Sequence, residues 1–384
     1  MRNEGGFIAE RRPGERGLAH LIEHVAFLSP TSNAPSDLHH LPHIGLPLTF
    51  PAPSAGTTSW RETNYFLSTK TTRTADLDIL LALFREVSTD LTFRPDAVDD
   101  ARGQVVREMA DKKLGNAIYA SYIAAVAPGS PTDVIEAQNS DDVPTANVET
   151  IRALYHRLYE PENMMVVVVG NVDVAQTKAL IQQRFGNWRS GERAHRWALV
   201  PSFRSSRITP ISFSTLQQGR RTAMMTVVMP TLRPLSARGQ QAKATLTEML
   251  AVRAVNHRLA RAQPDSPLGK TGIFVDNGEQ GQRLIMLWDN FATGQWRPAV
   301  AGLAKATCDL STVGFSDLEW TTAKQNVISD LDQRSKAMTE TPNVELAKDL
   351  SHALAAGQEM ISPDELLRQA RALLPGITTR AGNS

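Results

Sequence analysis

At 384 residues the chain is long enough for two or three domains, and 41% hydrophobic with 21% charged residues is the balance of a globular protein. The 41 basic and 40 acidic residues leave a net charge of +1, so charge gives no hold on nucleic acid or a membrane surface, and neither is expected as a partner. The single cysteine, Cys308, excludes an internal disulfide and a cysteine-based zinc site, which leaves His, Asp and Glu to hold any metal.

The opening MRNEGGFIAERRPGERG has no apolar run of the signal-peptide kind. As written the chain reads as cytoplasmic, and as periplasmic if an N-terminal segment is missing. Residues 17–28 (GLAHLIEHVAFL) form a helix that is apolar on most faces, the mark of a buried helix. Pro30 ends it, and 29–56, rich in Pro, Ser and His, reads as a long loop. Residues 57–69 (TTSWRETNYFLST) read as a strand. Leu77, Leu80, Leu81, Phe84 and Val87 recur at helical spacing over 76–91, and Pro95 opens a further helix through Val98, Val105, Val106 and Met109. Asn147 caps a helix over 148–158. After Pro161 the run MMVVVVG reads as a buried strand, with a helix over 174–185 behind it. Its longest apolar stretch, Met164–Val169, is far too short to span a bilayer.

Residues 189–210, rich in Arg, Ser and Pro, read as a linker. Beyond it the pattern resumes, with strands over 222–229 and 284–291 and helices over 240–262, 296–307 and 316–337. The element order is that of an α+β or α/β chain whose second half repeats the first without its polar cluster. Cys308 is expected to be a buried helix residue. His39, His40 and His43 read as part of a solvated loop rather than a second metal site.

That cluster is His20-Leu21-Ile22-Glu23-His24. On a helix, positions i and i+4 share a face, so both imidazoles reach one ion. Zinc favours imidazole nitrogen and carboxylate oxygen, and a catalytic zinc keeps three protein ligands and an open position. A carboxylate from elsewhere in the chain is therefore needed. Zinc lowers the pKa of its water from about 15.7 to about 7, and Glu23 stands on the same face as a general base. Two His and one Glu on so apolar a helix are costly to bury unless something pairs them.

The segment GLAHLIEHVAF (17–27) resembles the zinc helix of the pitrilysin/insulinase family of metallopeptidases, close to GLAHFLEHMAF. The family's downstream pattern ER-x-V-I-x-x-E is matched by 101–108, where Arg102, Val105 and Glu108 fit. AGTTSWRETNYF (55–66) resembles its NAYTSxExTxYY strand, and YEPENMMVVVVGNVD (159–173) with FGNW (185–188) resembles the run that closes its first domain. The similarity is good over 5–190 and rests on fragments such as GFSDLEWTTAKQ beyond 215.

This resemblance implies Zn²⁺ held by His20, His24 and Glu108, with Glu23 activating water for hydrolysis of peptide bonds in peptides or small unfolded proteins. It implies an α+β fold of two sandwich domains of the same type, each a mostly antiparallel sheet with helices packed on it. Residues 1–190 are then the zinc-binding peptidase domain, 191–210 the linker and 211–384 a metal-free second domain. A peptide substrate adds as a strand along Gly56, Thr57 and Thr58. A homodimer, or a missing second half, completes a clamshell around it. Ala55 stands where the family has a substrate-holding Asn, and Ala101 where it often has a Glu behind the ligands; losses of that kind cost roughly ten- to a hundredfold. The family's first strands have no counterpart here. The alternative is a non-catalytic or truncated homologue acting as a partner subunit.

Overall fold

The structure, a computed structural model, describes residues 1–29, 31, 55–59, 62–126, 140–190, 220–230, 238–261, 270–278, 282–338, 341–355 and 361–383. His39, His40, His43 and the linker 191–210 lie outside them. The chain divides into two compact units. The first comprises Met1–Ala120, Pro131–Leu199 and Pro342–Gln358, and the second Ser121–Ser130, Val200–Thr341 and Glu359–Ser384. Both join antiparallel strands to helices, an α+β fold.

In the first unit, α1 (Leu18–Leu28) buries nine of its eleven residues. Gly17 takes a left-handed φ of 84° at its start, and no N-cap side chain closes the first turn. The half-buried Glu10 does so instead, its carboxylate accepting from the N–H of Gly17 at 2.9 Å and of Ala19 at 2.8 Å. A carboxylate there also suits the positive end of the helix dipole. Around α1 the core gathers Leu18, Leu21, Ile22 and Val25 with Tyr65, Val98, Val105, Leu154 and Tyr155.

Four short strands form the sheet of this unit: β1 (Arg2–Asn3), β2 (Gly56–Thr58), β3 (Thr63–Tyr65) and β4 (Met164–Met165), in the order β2-β3-β1-β4. The stretch 57–69 is therefore not one strand. It reverses where the Ser59 N–H donates to the Glu62 carbonyl at 2.8 Å and the Glu62 N–H to Ser59 Oγ at 3.2 Å. The valine run is also not a full strand. Its partner β1 pairs only Arg2 with Met165 and Asn3 with Met164, so Val166–Val169 continue past the ladder, half-buried. Helices α2 (Thr74–Thr89), α3 (Pro95–Val126), α4 (Val148–Leu158) and α5 (Val174–Phe185) complete the first pass through this unit. Asn147 caps α4 by accepting from the Thr150 N–H at 2.8 Å.

The second unit pairs β5 (Arg220–Pro230), β6 (Lys270–Gly278) and β7 (Gln282–Ala292) in the order β5-β7-β6. Strand β6 is not expected from the sequence, because its Gly, Asp and Asn content resembles a loop. Gly272 belongs in it because Trp288 lies across it, 2.8 Å from where a Cβ would sit. Helices α6 (Arg238–Arg261), α7 (Trp296–Thr312) and α8 (Asp317–Ala337) follow expectation to within a few residues, except that α7 runs past Thr307. Two further helices are also unexpected: α9 (Asn343–Ala355), which belongs to the first unit, and α10 (Pro363–Leu373), which belongs to the second. Cys308 is exposed, contrary to expectation. The inward stripe of α7 runs through Ala299 and Leu303 to Thr307, whose hydroxyl reaches Met225 Sδ, and Cys308 falls one position off it. No described helix is long and apolar enough to cross a membrane.

The start of α8 carries a capping box, Ser316 with Glu319, and Glu319 also holds Arg258 at 2.6 and 2.8 Å. The Arg258 guanidinium lowers the Glu319 carboxyl from 4.5 to about 2. A depressed carboxylate contributes stability that is complete above its unfolded value and is lost as pH falls through the folded one. Glu319→Gln is expected to lower the melting temperature at neutral pH, and the gap from the parent should close as pH falls from about 4.5 to about 2. Melting curves across that range check it; a gap independent of pH would contradict the pairing.

Candidate metal centre

The polar face of α1 carries His20, Glu23 and His24, each less than a tenth exposed. The two imidazoles meet edge to face, with centroids 4.9 Å apart and Nε2 atoms 3.2 Å apart. From α3, Glu108 Oε2 comes to 3.5 Å from His20 Nε2 and 3.4 Å from His24 Nε2. Among the described residues this trio is the one group of metal-binding type whose ligand atoms converge.

The triangle has the size of a metal site. Zinc bonds of about 2.0–2.2 Å to nitrogen and oxygen, set at tetrahedral angles, separate neighbouring donors by roughly 3.3–3.5 Å. Protonation points the same way. His24 Nδ1 lies 3.1 Å from Gln104 Oε1, so its proton belongs on Nδ1 and the Nε2 lone pair faces the triangle. Once the Nε2 proton is lost, as metal ligation requires, His24 offers a lone pair and Glu108 a carboxylate to one point. Burial works against the His24 imidazolium, but the acceptors Glu108 and Gln104, with the Glu23 charge, outweigh it and raise its pKa.

Gln104 is not among the residues that the sequence singles out. It stands one helical turn before Glu108, on the same face of α3, and that i, i+4 spacing is the available signal. Arg102 fixes the same turn by donating to the carbonyls of Val143 and Ala146.

Glu23 stands beside the triangle and not in it. Its Oε2 accepts from Thr58 Oγ1 at 2.7 Å. Its Oε1 lies against Gly56, where a Cβ would come within 2.3 Å of it and within 2.7 Å of Phe27 Cε2. Burial raises the pKa of Glu23, and His20, the Thr58 hydrogen bond and His24 hold part of that rise back. The carboxylate is thus more basic than one in water and fixed in direction, as general-base work requires.

β2 is the terminal strand of its sheet among the described residues. The Phe66 N–H donates to the Ala55 carbonyl and the Ser59 N–H to that of Glu62, so by alternation Thr57 turns its backbone to β3 while Gly56 and Thr58 turn theirs outward. The open edge is therefore offered by Gly56 and Thr58, with Thr57 projecting an exposed side chain.

Comparison with known proteins matches residues 8–119 to the insulinase family, peptidase family M16, and residues 145–261 to the peptidase M16 inactive domain. The probable zinc protease PqqL of Escherichia coli K12 is 29% identical over 188 residues, 48% of this chain and 20% of the relative. The zinc protease PqqE of Helicobacter pylori is 26% identical over 217 residues, 55% of this chain and 44% of the relative. The crystal structure of the periplasmic protease PqqL from Escherichia coli superposes with a TM-score of 0.77 at 19% identity, over all of this chain and 42% of that one. The chain thus matches less than half the length of each of these proteins.

The close approach of Gly56 to Glu23 yields a test. Gly56→Ala is expected to push Glu23 from Thr58 and destabilise the first unit by about 1–3 kcal/mol, the range for overpacking a filled site. Denaturant unfolding measures it; an unchanged midpoint would mean that the carboxylate swings freely.

Proposed function

The chain belongs to the insulinase family, peptidase family M16, and on that premise we propose that it is the zinc-binding part of a peptidase that hydrolyses peptide bonds in peptides or small unfolded proteins. His20, His24 and Glu108 hold the metal, and Glu23 is the general base. The observation that carries this reading is the donor triangle of 3.2, 3.4 and 3.5 Å with Glu23 tied beside it.

Zinc in this set would supply a Lewis acid that makes a water acidic near neutral pH and polarises a carbonyl. Glu23 is the group that would take a proton from an attacking water and return it to the leaving nitrogen as the C–N bond breaks. Thr58 keeps the carboxylate aimed through both transfers. Gln104 keeps the His24 proton on Nδ1, so that Nε2 stays a donor. The substrate lies as an added strand against β2, bonded to the outward backbone groups of Gly56 and Thr58. One strand thus both holds the base and receives the chain to be cut.

Residues 1–190 form the zinc-binding domain, 211–384 the metal-free domain and 191–210 their linker, with 342–358 returning to the first unit. The clamshell is completed by a second half or a second copy of the chain, which fits the short coverage of the relatives and the likeness to the first half of PqqL, at a TM-score of 0.78. The compartment is the periplasm, as for that neighbour. Short coverage also keeps a second reading in view: a zinc-retaining partner subunit without turnover of its own.

Elemental analysis and a quenched fluorescent peptide separate these readings. The peptidase reading expects one zinc per chain, lost in His20→Ala and Glu108→Ala, and cleavage abolished by chelator. Glu23→Gln should keep the zinc and lower kcat by about 10²–10⁴, the usual share of a general base. Zinc without cleavage selects the partner subunit, and absence of zinc removes both.

A further inference from the structure

The two units share one chain path through their sheets. In the first, β1 leads to α1, and β2 and β3 follow in the spatial order β2-β3-β1. In the second, β5 leads to α6, and β6 and β7 follow in the order β6-β7-β5. β6 is therefore the counterpart of β2, a strand that follows a helix and is terminal in its sheet among the described residues. It is also the larger liability, with nine residues against three and an exposed Phe274. Long apolar edges invite pairing with another extended chain.

The two helices treat these edges differently. α1 reaches β2 through a side chain, Glu23 to the Thr58 hydroxyl, and the outward backbone of Gly56 and Thr58 takes no bond from it. α6 instead reaches the backbone of β6. Asn256 Nδ2 donates to the Ile273 carbonyl at 3.1 Å, and Asn256 Oδ1 accepts from the Ile273 N–H at 2.9 Å. A carboxamide carries the donor and acceptor of a peptide group, so this pair copies one rung of an antiparallel ladder. The N–H and C=O of an extended residue point the same way, so both bonds leave Ile273 on the side away from β7. By alternation Thr271 and Val275 share that outward side, while Gly272 and Phe274 turn to β7. Ala254, Val255 and Leu259 are buried on either side of Asn256, which fixes the turn of α6 that carries it.

We propose that Asn256 is an edge lock, which stands on β6 in place of a strand and confines the addition of an extended peptide to β2. The inference rests on the strand addition proposed for β2, and it assigns the choice between the two edges to one side chain. A peptide that approaches β6 meets a rung already made at the fourth residue of the strand. To pair, it has to break both bonds and move α6 aside. The chain then takes up one peptide strand and not two.

The full chain carrying Glu23→Gln and loaded with zinc tests this, titrated with a fluorescein-labelled Lys-Thr-Val-Thr-Val-Thr-Lys peptide. One peptide per chain is expected with Asn256 in place. Two are expected with Asn256→Ala, the second slowing hydrogen exchange at the Thr271 and Val275 amides by about tenfold or more. Self-association of that variant with the same protection supports the lock equally, since a second copy is then the added strand. Asn256→Asp keeps the side-chain volume but loses the donor, and is expected to open the same edge. In the chain without any substitution the Ile273 amide is expected to exchange about a hundredfold more slowly than an unstructured one. Exchange of that amide at the unstructured rate would overturn the proposal. So would two peptides on the chain that keeps Asn256, or folded Asn256 variants that gain no strand at β6. A strand gained at β6 in the variants, with none bound at β2 in any chain, would remove the reading of β2 and leave the lock standing.

Discussion

The first unit is organised around a conflict on α1. A helix that buries nine of eleven residues carries two imidazoles and a carboxylate on its inner face, and a second carboxylate closes on them from α3. Each buried polar group without a partner costs about 1–3 kcal/mol, and a whole domain is stable by only about 5–15 kcal/mol. Here the imidazoles and the Glu108 carboxylate offset part of that cost by facing one another within 3.5 Å. The proposed divalent cation would draw the three donors to one point, and the surrounding residues are placed to support it: Glu10 at the head of the helix, Gln104 behind His24, Thr58 and Gly56 against Glu23.

The candidate centre is legible in the sequence because its signal is local. The spacing of His20, Glu23 and His24 needs only helical periodicity, and the apolar residues between them state that the helix is buried. Glu108 is reached through resemblance, since no spacing rule joins α1 to the middle of α3. Gln104 and the role of Gly56 are not legible, because their meaning lies in contacts across the fold: a 3.1 Å approach to His24, and the lack of room for a methyl group beside Glu23.

The strands are the least legible elements, for a related reason. Helices carry their hydrogen bonds within themselves, and α4, α6 and α8 follow their periodic residues closely. A strand exists only where a neighbour pairs with it. Val166–Val169 have every β-forming feature and no strand partner among the described residues, whereas Lys270–Gly278 has a loop-like composition and a full partner in β7. The sheet of the first unit is consequently short, and its terminal described strand, β2, lies against Glu23.

Diffraction recorded on either side of the zinc absorption edge, from crystals grown with zinc, tests the central claim most directly. One strong anomalous peak is expected in the first unit, about 2.0–2.2 Å from His20 Nε2, His24 Nε2 and a Glu108 oxygen. Glu23 should lie outside bonding range, still accepting from Thr58. A peak bound elsewhere, or a Glu108 carboxylate turned away from the two imidazoles, would contradict it.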